Sequence, residues 1–278
     1  MDYIELTVNF SPRIPWADIY LAYLAEEGFE SFVETDQGIQ AYAPATSIDI
    51  EQILAMEIFR EPSPEVHIEY FWELIEQQNW NAVWEADFQP VHIEDKLTIL
   101  APFHSREGAV GMIVEIQPQM SFGTGHHQTT WMMSKALFDE KQLPTRILDM
   151  GTGTGVLAVI AEKLGAEEIL AIDIEDWSVQ NTIENAERNQ CSNITALHGD
   201  IDLIEGRTFD MILANINKNI LKKHLPDYAQ SLAENGVLYL SGFFETDTEE
   251  LIEAAAAVGL KYNCMYTKET WAALRFVR

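Results

Sequence analysis

Apolar and polar residues alternate from Tyr3 to Val8, a period of two that predicts a strand with one buried face. Over residues 16–27 the period lengthens. Ile19, Leu21, Tyr23 and Leu24 recur at helical spacing, and Gly28 supplies a stop. Short strands are predicted at 31–34 and 39–43, joined by the turn signal Asp36-Gln37-Gly38. A second helix over 48–59, with Ser47 as its cap, and a strand over 66–75 complete the run. The order β-α-β-β-α-β predicts a small ferredoxin-like α+β domain over residues 1–76.

Residues 77–118 read as a connecting region. Trp80 and Trp84 stand four apart and predict a short linker helix over 77–88. Strands are predicted at 97–101 and 112–116, with Pro102, Gly108, Gly111 and Pro118 marking turns. From about Gln128 the units grow longer. Helices are predicted over 129–138, 155–164 and 178–189. Strands fall at 147–150, 169–174, 209–214, 237–241 and 261–266, with helical patterns between the later ones. Alternating strands and helices predict a mostly parallel sheet covered on both faces, a Rossmann-like α/β domain over 119–278.

The strongest local signal is Ile147-Leu148-Asp149-Met150-Gly151-Thr152-Gly153-Thr154-Gly155, a buried strand running into three alternating glycines and then a helix. Gly151, Gly153 and Gly155 permit a tight turn and let a ligand approach the backbone. The helix start beyond them offers free N–H groups. Such a turn alone fits nicotinamide, flavin or nucleoside ligands. The spacing Gly-x-Gly-x-Gly departs from the Gly-x-Gly-x-x-Gly suited to a pyrophosphate. Asp173 ends the next strand, 22 residues after Gly151, where a carboxylate accepts both ribose hydroxyls of an adenosine. Asp200, in His198-Gly199-Asp200, closes the third strand where an adenine amino group is read. Asn215, in Ala214-Asn215-Ile216-Asn217, ends the fourth at the carboxyl edge, where open α/β sheets bind ligands. In the loop 122–130, Phe-Gly-Thr-Gly-His-His-Gln-Thr-Thr, Thr129 or Thr130 is expected to cap the following helix. The adjacent His126 and His127 do not make a metal set, because no Cys or carboxylate completes one.

Charge adds a partner class. The 278 residues carry 45 acidic and 17 basic side chains, a formal net charge of −28. The excess is concentrated early: residues 1–100 hold 20 acidic and 3 basic side chains. This density disfavours direct docking on nucleic-acid phosphates and favours encounter with a basic partner. An apolar fraction of 47% supports a buried core, and no apolar run is long enough for a membrane span. The start, Met-Asp-Tyr-Ile-Glu, lacks the features of a secretory signal. Cys191 and Cys264 form neither a disulfide framework nor a metal spacing, which predicts a reducing, cytoplasmic setting.

Three segments together resemble one family: the loop 122–130, Asp149-Met-Gly-Thr-Gly-Thr-Gly155, and Ala214-Asn215-Ile216. They are similar to the PrmA-type ribosomal protein methyltransferases, class I enzymes that use S-adenosylmethionine on the large-subunit stalk-base protein. The loop is the most specific of the three, and the N-terminal element order extends the likeness over nearly the whole chain. The resemblance implies a substrate-recognition role for residues 1–76 and a basic ribosomal protein as partner. It implies methylation of amines, either lysine side chains or the N-terminal amine. It also implies cofactor contacts from Thr130, Gly151, Asp173 and Asn215. A positioning role in catalysis falls to Asn215, with no dedicated general base. The chain departs from many relatives at Thr152, where Cys is common, and after Asn215, where Ile-Asn-Lys replaces a segment containing Pro. A glutamine methyltransferase would show Asn-Pro-Pro-Tyr after the fourth strand, and a nicotinamide oxidoreductase a different glycine spacing. A small-molecule methyltransferase and a non-catalytic ribosome-binding module compete with the family reading.

Overall fold

A computed structural model describes residues 2–76, 85, 87–119 and 123–278. The chain divides into two units, Met1–Asp87 and Phe88–Arg278. The first is built on strand β1 (Tyr3–Ser11), whose alternation buries Ile4, Leu6, Val8 and Phe10 on one face. Helix α1 (Trp16–Glu26) lays Ala17, Tyr20 and Leu24 against that face. Strands β2 (Ser31–Glu34), β3 (Gly38–Pro44) and β4 (His67–Ile75) complete an antiparallel sheet in the order β2-β3-β1-β4, the ferredoxin-like arrangement.

The single helix expected over 48–59 is two short ones, α2 (Ile50–Leu54) and α3 (Glu57–Arg60). Met56, with φ −70° and ψ 154°, is extended and breaks it. The cap is Asp49, whose side chain accepts from the Gln52 N–H. Ser47 does not serve as cap; its hydroxyl donates to the Pro44 carbonyl at 2.8 Å. The linker helix expected over 77–88 lies almost wholly outside the described residues.

In the second unit, β5 (Val91–Ile93), β6 (Leu97–Leu100) and β7 (Met112–Glu115) form a small mixed sheet. Ile93, Leu97, Ile99 and Val114 share a core with Met132 and Met133 of α4 (Gln128–Asp139), so these strands are part of this unit's interior. The main sheet has seven strands: β8 (Arg146–Met150), β9 (Glu168–Asp173), β10 (Ile194–His198), β11 (Phe209–Asn215), β12 (Leu232–Phe244), β13 (Lys261–Lys268) and β14 (Trp271–Val277). Their order is β10-β9-β8-β11-β12-β14-β13. The first five are parallel, and β14 inserts antiparallel between β12 and β13.

Helices α5 (Val156–Lys163) and α4 contribute to the core on one face. On the other, α7 (Lys218–Ser231) and α8 (Thr248–Ala257) cover Leu148, Ile212, Leu240 and Leu274. Helix α6 (Asp176–Arg188) follows β9. From β8 the chain moves outward to β9 and β10, then crosses back to β11 and β12. That reversal opens a crevice beyond the carboxyl ends of β8 and β11, the position where open α/β sheets bind ligands.

Candidate functional site

The crevice is a cavity of about 530 Å³, within the range of small-molecule sites. Gly151 and Gly153 after β8, Asp173 after β9, Asp200 beyond β10 and Asn215 at the end of β11 all line it. Five of the seven residues expected to bind cofactor therefore converge on one space, although four different strands deliver them.

The glycine turn is held from several sides. Gly151 and Thr152 donate their N–H groups to the Ile172 carbonyl at 2.8 and 3.1 Å, which hooks the turn onto β9. Gly151 has φ +72°, and a Cβ there would lie 2.2 Å from Ile216 Cγ2. Only glycine meets both conditions without strain. Asp173 is 8% exposed, and its two carboxylate oxygens accept from the N–H of Gly153 at 2.9 Å and of Glu175 at 3.0 Å. It thus ties the turn to the start of α6. From α6, the Thr182 hydroxyl donates to the Gly153 carbonyl and the Asn185 amide to the Thr154 carbonyl. Asn185 and Asn189 also accept from the N–H groups of Gln117 and Glu115. Asp149, buried under the turn, accepts from the Thr152 hydroxyl at 2.8 Å. Burial pushes its carboxyl up to about 7, against the opposing effect of the hydrogen bonds from Thr152 and Ala158.

Gly155 does not line the cavity. It also has positive φ, +78°, but a Cβ there would press on Thr182, 2.8 Å from Cγ2 and 3.1 Å from Cα. Its bareness serves the contact between the start of α5 and α6. Thr130 is fully buried and not among the lining residues, and its hydroxyl oxygen lacks a hydrogen-bond partner. Neither threonine caps α4. The helix begins one residue earlier than expected, and His127 is its cap, accepting from the Thr129 N–H. Burial lowers the His127 imidazole's pKa and so favours the neutral ring that accepts here, and Glu269 opposes it. Of the loop 122–130, Phe122 lies outside the described residues.

Asn215 is the most exceptional group in the cavity. Its side-chain oxygen is buried and has no hydrogen-bond partner among the described residues. The helix-capping task open to an Asn at this place is done instead by Asn217, which accepts from the Asn219 N–H at 2.9 Å. Asp200 caps the short turn Ile201–Ile204 by accepting from the Ile201 N–H through one oxygen, which leaves the other to meet a ligand.

Sequence reasoning missed several wall residues. His127, Thr129, Trp177, Ile216, Ile220, His224 and Trp271 all line the cavity. Trp271 packs at a tilt of 34° against Phe244, ring centroids 4.2 Å apart, with His127 edge-on to it at 4.5 Å. Asp173, Glu175 and Asp200 supply negative charge, and among the described residues none that lines the cavity is Lys or Arg. A pyrophosphate would meet carboxylates here with no compensating cation, whereas a cationic ligand is matched.

A parallel sheet with one antiparallel strand inserted near its edge, carrying a glycine turn, an acidic residue after β9 and an unpartnered asparagine after β11, defines a Rossmann-like methyltransferase. The model of the family described as "Ribosomal protein L11 methyltransferase (PrmA)" matches residues 20–278, and the chain belongs to that family. A ribosomal protein L11 methyltransferase from Porphyromonas gingivalis is 42% identical over 261 residues, covering 93% of this chain and 90% of the relative. One from Phocaeicola vulgatus is 40% identical, covering 100% of this chain and 99% of the relative. Among solved structures, a ribosomal protein L11 methylase from Lactobacillus delbrueckii subsp. bulgaricus matches with TM-score 0.63 at 27% identity. It covers 69% of this chain and 99% of its own. A methyltransferase from Pyrococcus furiosus shares the fold, with TM-score 0.51 at 18% identity, over 59% of this chain and 88% of that one.

Proposed function

We propose that the chain methylates amine nitrogens of ribosomal protein L11, lysine side chains or the N-terminal amine, with S-adenosylmethionine as donor. The observation that carries this reading is the Asn215 side-chain oxygen: buried, unpartnered, at the carboxyl edge of β11 and on the wall of an acidic cavity. A buried acceptor without a donor costs free energy, so it is retained for a donor that arrives with a ligand.

The residues present fit the cofactor. Gly151 keeps the backbone bare at the turn, and Asp173 retains lone pairs for ribose hydroxyls beside its two backbone bonds. Asp200 takes the adenine amino group, while Gly153 completes the holding set on the cavity wall. When bound, S-adenosylmethionine supplies a methyl group already activated by a sulfonium.

The chain's own work is positioning. A lysine amine has a pKa near 10.4, so about one in a few thousand is unprotonated at neutral pH. Desolvation beside a bound positive sulfonium would lower that value, against the opposing effect of the carboxylates on the wall. Trp271 on the cavity wall offers an aromatic ring that attracts the ammonium form. The Asn215 oxygen then accepts one N–H and turns the lone pair toward the reaction axis. No side chain is required as a dedicated base.

The first unit supports a basic protein as substrate. Residues 1–87 carry 18 acidic and 2 basic side chains. On the sheet face away from the helices, Glu5 stands opposite Glu73 and Asn9 opposite Glu69, with Phe71 exposed between them. Opposite charge steers a basic partner onto such a face, and Phe71 gives it an apolar contact. The same charge disfavours RNA. A ribosomal substrate implies a cytoplasmic reaction.

The test is incubation with labelled S-adenosylmethionine and total ribosomal proteins, with label mapped by mass spectrometry. Label on amines of L11 is expected. Label confined to other proteins, or no label, overturns the reading.

A further inference from the structure

His224 sits in the middle of α7 and is 1% exposed, yet it lines the cavity. Its Nε2 is buried and has no hydrogen-bond partner among the described residues. The nearest acceptor is Asp200 Oδ1 at 3.6 Å, beyond hydrogen-bond reach, and that oxygen already accepts from the Ile201 N–H at 2.7 Å. On the other side of the ring, the Tyr228 hydroxyl approaches Nδ1 at 3.5 Å. Tyr228 is itself fully buried, and Nδ1 is its hydroxyl's only partner among the described residues. A buried phenol donates where an acceptor is offered, so Nδ1 accepts and the ring proton stays on Nε2. Burial lowers the ring's pKa and so favours its neutral form, helped by Lys223 and opposed by Asp200 and Asp227. The wall therefore presents the Asp200 carboxylate, with one oxygen not engaged by Ile201, and beside it an N–H donor without a partner among the described residues.

Adenine carries the complementary pair. Its exocyclic amino group is a donor, and the ring nitrogens N1 and N7 that flank it are acceptors. A base that gives its amino group to Asp200 brings one of these acceptors beside Nε2, whichever edge it presents. Hypoxanthine and guanine carry an oxygen where adenine has the amino group, which sets acceptor against Asp200.

We propose that His224 is a base-reading residue: its Nε2–H donates to a ring nitrogen of the adenine whose amino group Asp200 accepts. The inference rests on the cofactor site proposed above and adds a specificity determinant to it. The sequence offers no signal for this role, since a lone histidine in an amphipathic helix reads as ordinary packing.

Calorimetric binding of S-adenosylhomocysteine to the full chain tests this without turnover. The ligands are the parent compound and its 1-deaza and 7-deaza analogues, in which a ring nitrogen becomes C–H. The wild-type protein should bind one of the two analogues about tenfold more weakly than the parent, the value of one neutral hydrogen bond. His224→Leu should weaken the parent by a similar factor and bind that analogue and the parent equally. His224→Gln, which keeps an N–H donor, should retain part of the discrimination and serves where the leucine variant does not fold. Equal binding of all three ligands by the wild type overturns the proposal. So does a His224→Leu variant that weakens all three alike. Failure of the cofactor site itself would look different: no binding of the parent by the wild type, or no effect of Asp173→Ala.

Discussion

Replacing Asp173 by alanine removes one side chain with two duties, and their sizes follow from its contacts. Within the protein it leaves the Gly153 and Glu175 N–H groups without their acceptor, at 2.9 and 3.0 Å in the native structure. Glu175 is exposed and its N–H can turn to water, so the buried Gly153 N–H carries the cost, about 1–3 kcal/mol of local stability. Toward the cofactor it removes a charged acceptor for two ribose hydroxyls. At about 1.5–3 kcal/mol each this totals about 3–6 kcal/mol, or roughly 10²- to 10⁴-fold in Kd. Titration calorimetry with S-adenosylhomocysteine measures the sum, and a thermal melt measures the first part. The 2′-deoxy analogue separates the duties. Wild type should lose affinity for it, whereas Asp173→Ala should bind parent and analogue alike. A variant Kd within about threefold of wild type refutes the assignment. An equal penalty for the analogue in both proteins refutes the ribose contact while leaving the loop-holding role.

Gly151→Ala should abolish measurable cofactor binding and lower stability by about 1–3 kcal/mol, through positive φ and the Cβ approach to Ile216; a melt and calorimetry check both parts. Asn215→Ala should lower the rate of amine methylation by about 10²-fold while leaving the melting temperature within a few degrees, and steady-state kinetics on the purified ribosomal protein would show it. Asp149 has a folded pKa raised to about 7, above the roughly 3.9 of the unfolded chain, so the native state binds its proton more tightly. Its contribution to stability is full below about pH 4 and is lost as pH rises through 7. Asp149→Asn should therefore flatten the fall in stability between these values, by about 1 kcal/mol per pH unit, in denaturant titrations over that range. Glu69→Lys combined with Glu73→Lys should raise the KM for the ribosomal protein several-fold at low salt, with little effect on kcat and a smaller effect at high salt.

What could be read from the chain was local. Gly151 and Asp173 announce themselves because each ends a strand and the distance between them is set by one helix. The clamp around them was not legible. Thr182, Asn185 and Asn189 are polar side chains in and just after α6, and nothing in their spacing says that they bond backbone in another segment. Strand β14 carries no period-two signature, because its middle, Ala272-Ala273-Leu274, is buried on both faces and so has no alternation. With it went Trp271. Residues 48–59 keep helical periodicity across a real break, since the extended backbone at Met56 leaves no mark on the apolar pattern. Gly155 has the spacing of a ligand-facing glycine, and only the position of Thr182 shows what its missing side chain makes room for.

Among the described residues the cavity wall holds Asp173, Glu175 and Asp200 and no lysine or arginine, and this bears on turnover as well as on choice of ligand. S-adenosylmethionine enters with a positive sulfonium and leaves as a neutral thioether. The wall carries the same charge before and after transfer, so the attraction that helps to hold the donor weakens once its methyl group is gone. Spent cofactor is thereby placed at a disadvantage against fresh, and the enzyme is spared part of the inhibition that its own by-product would impose. Salt screens that difference, so the ratio of the two affinities should narrow as ionic strength rises.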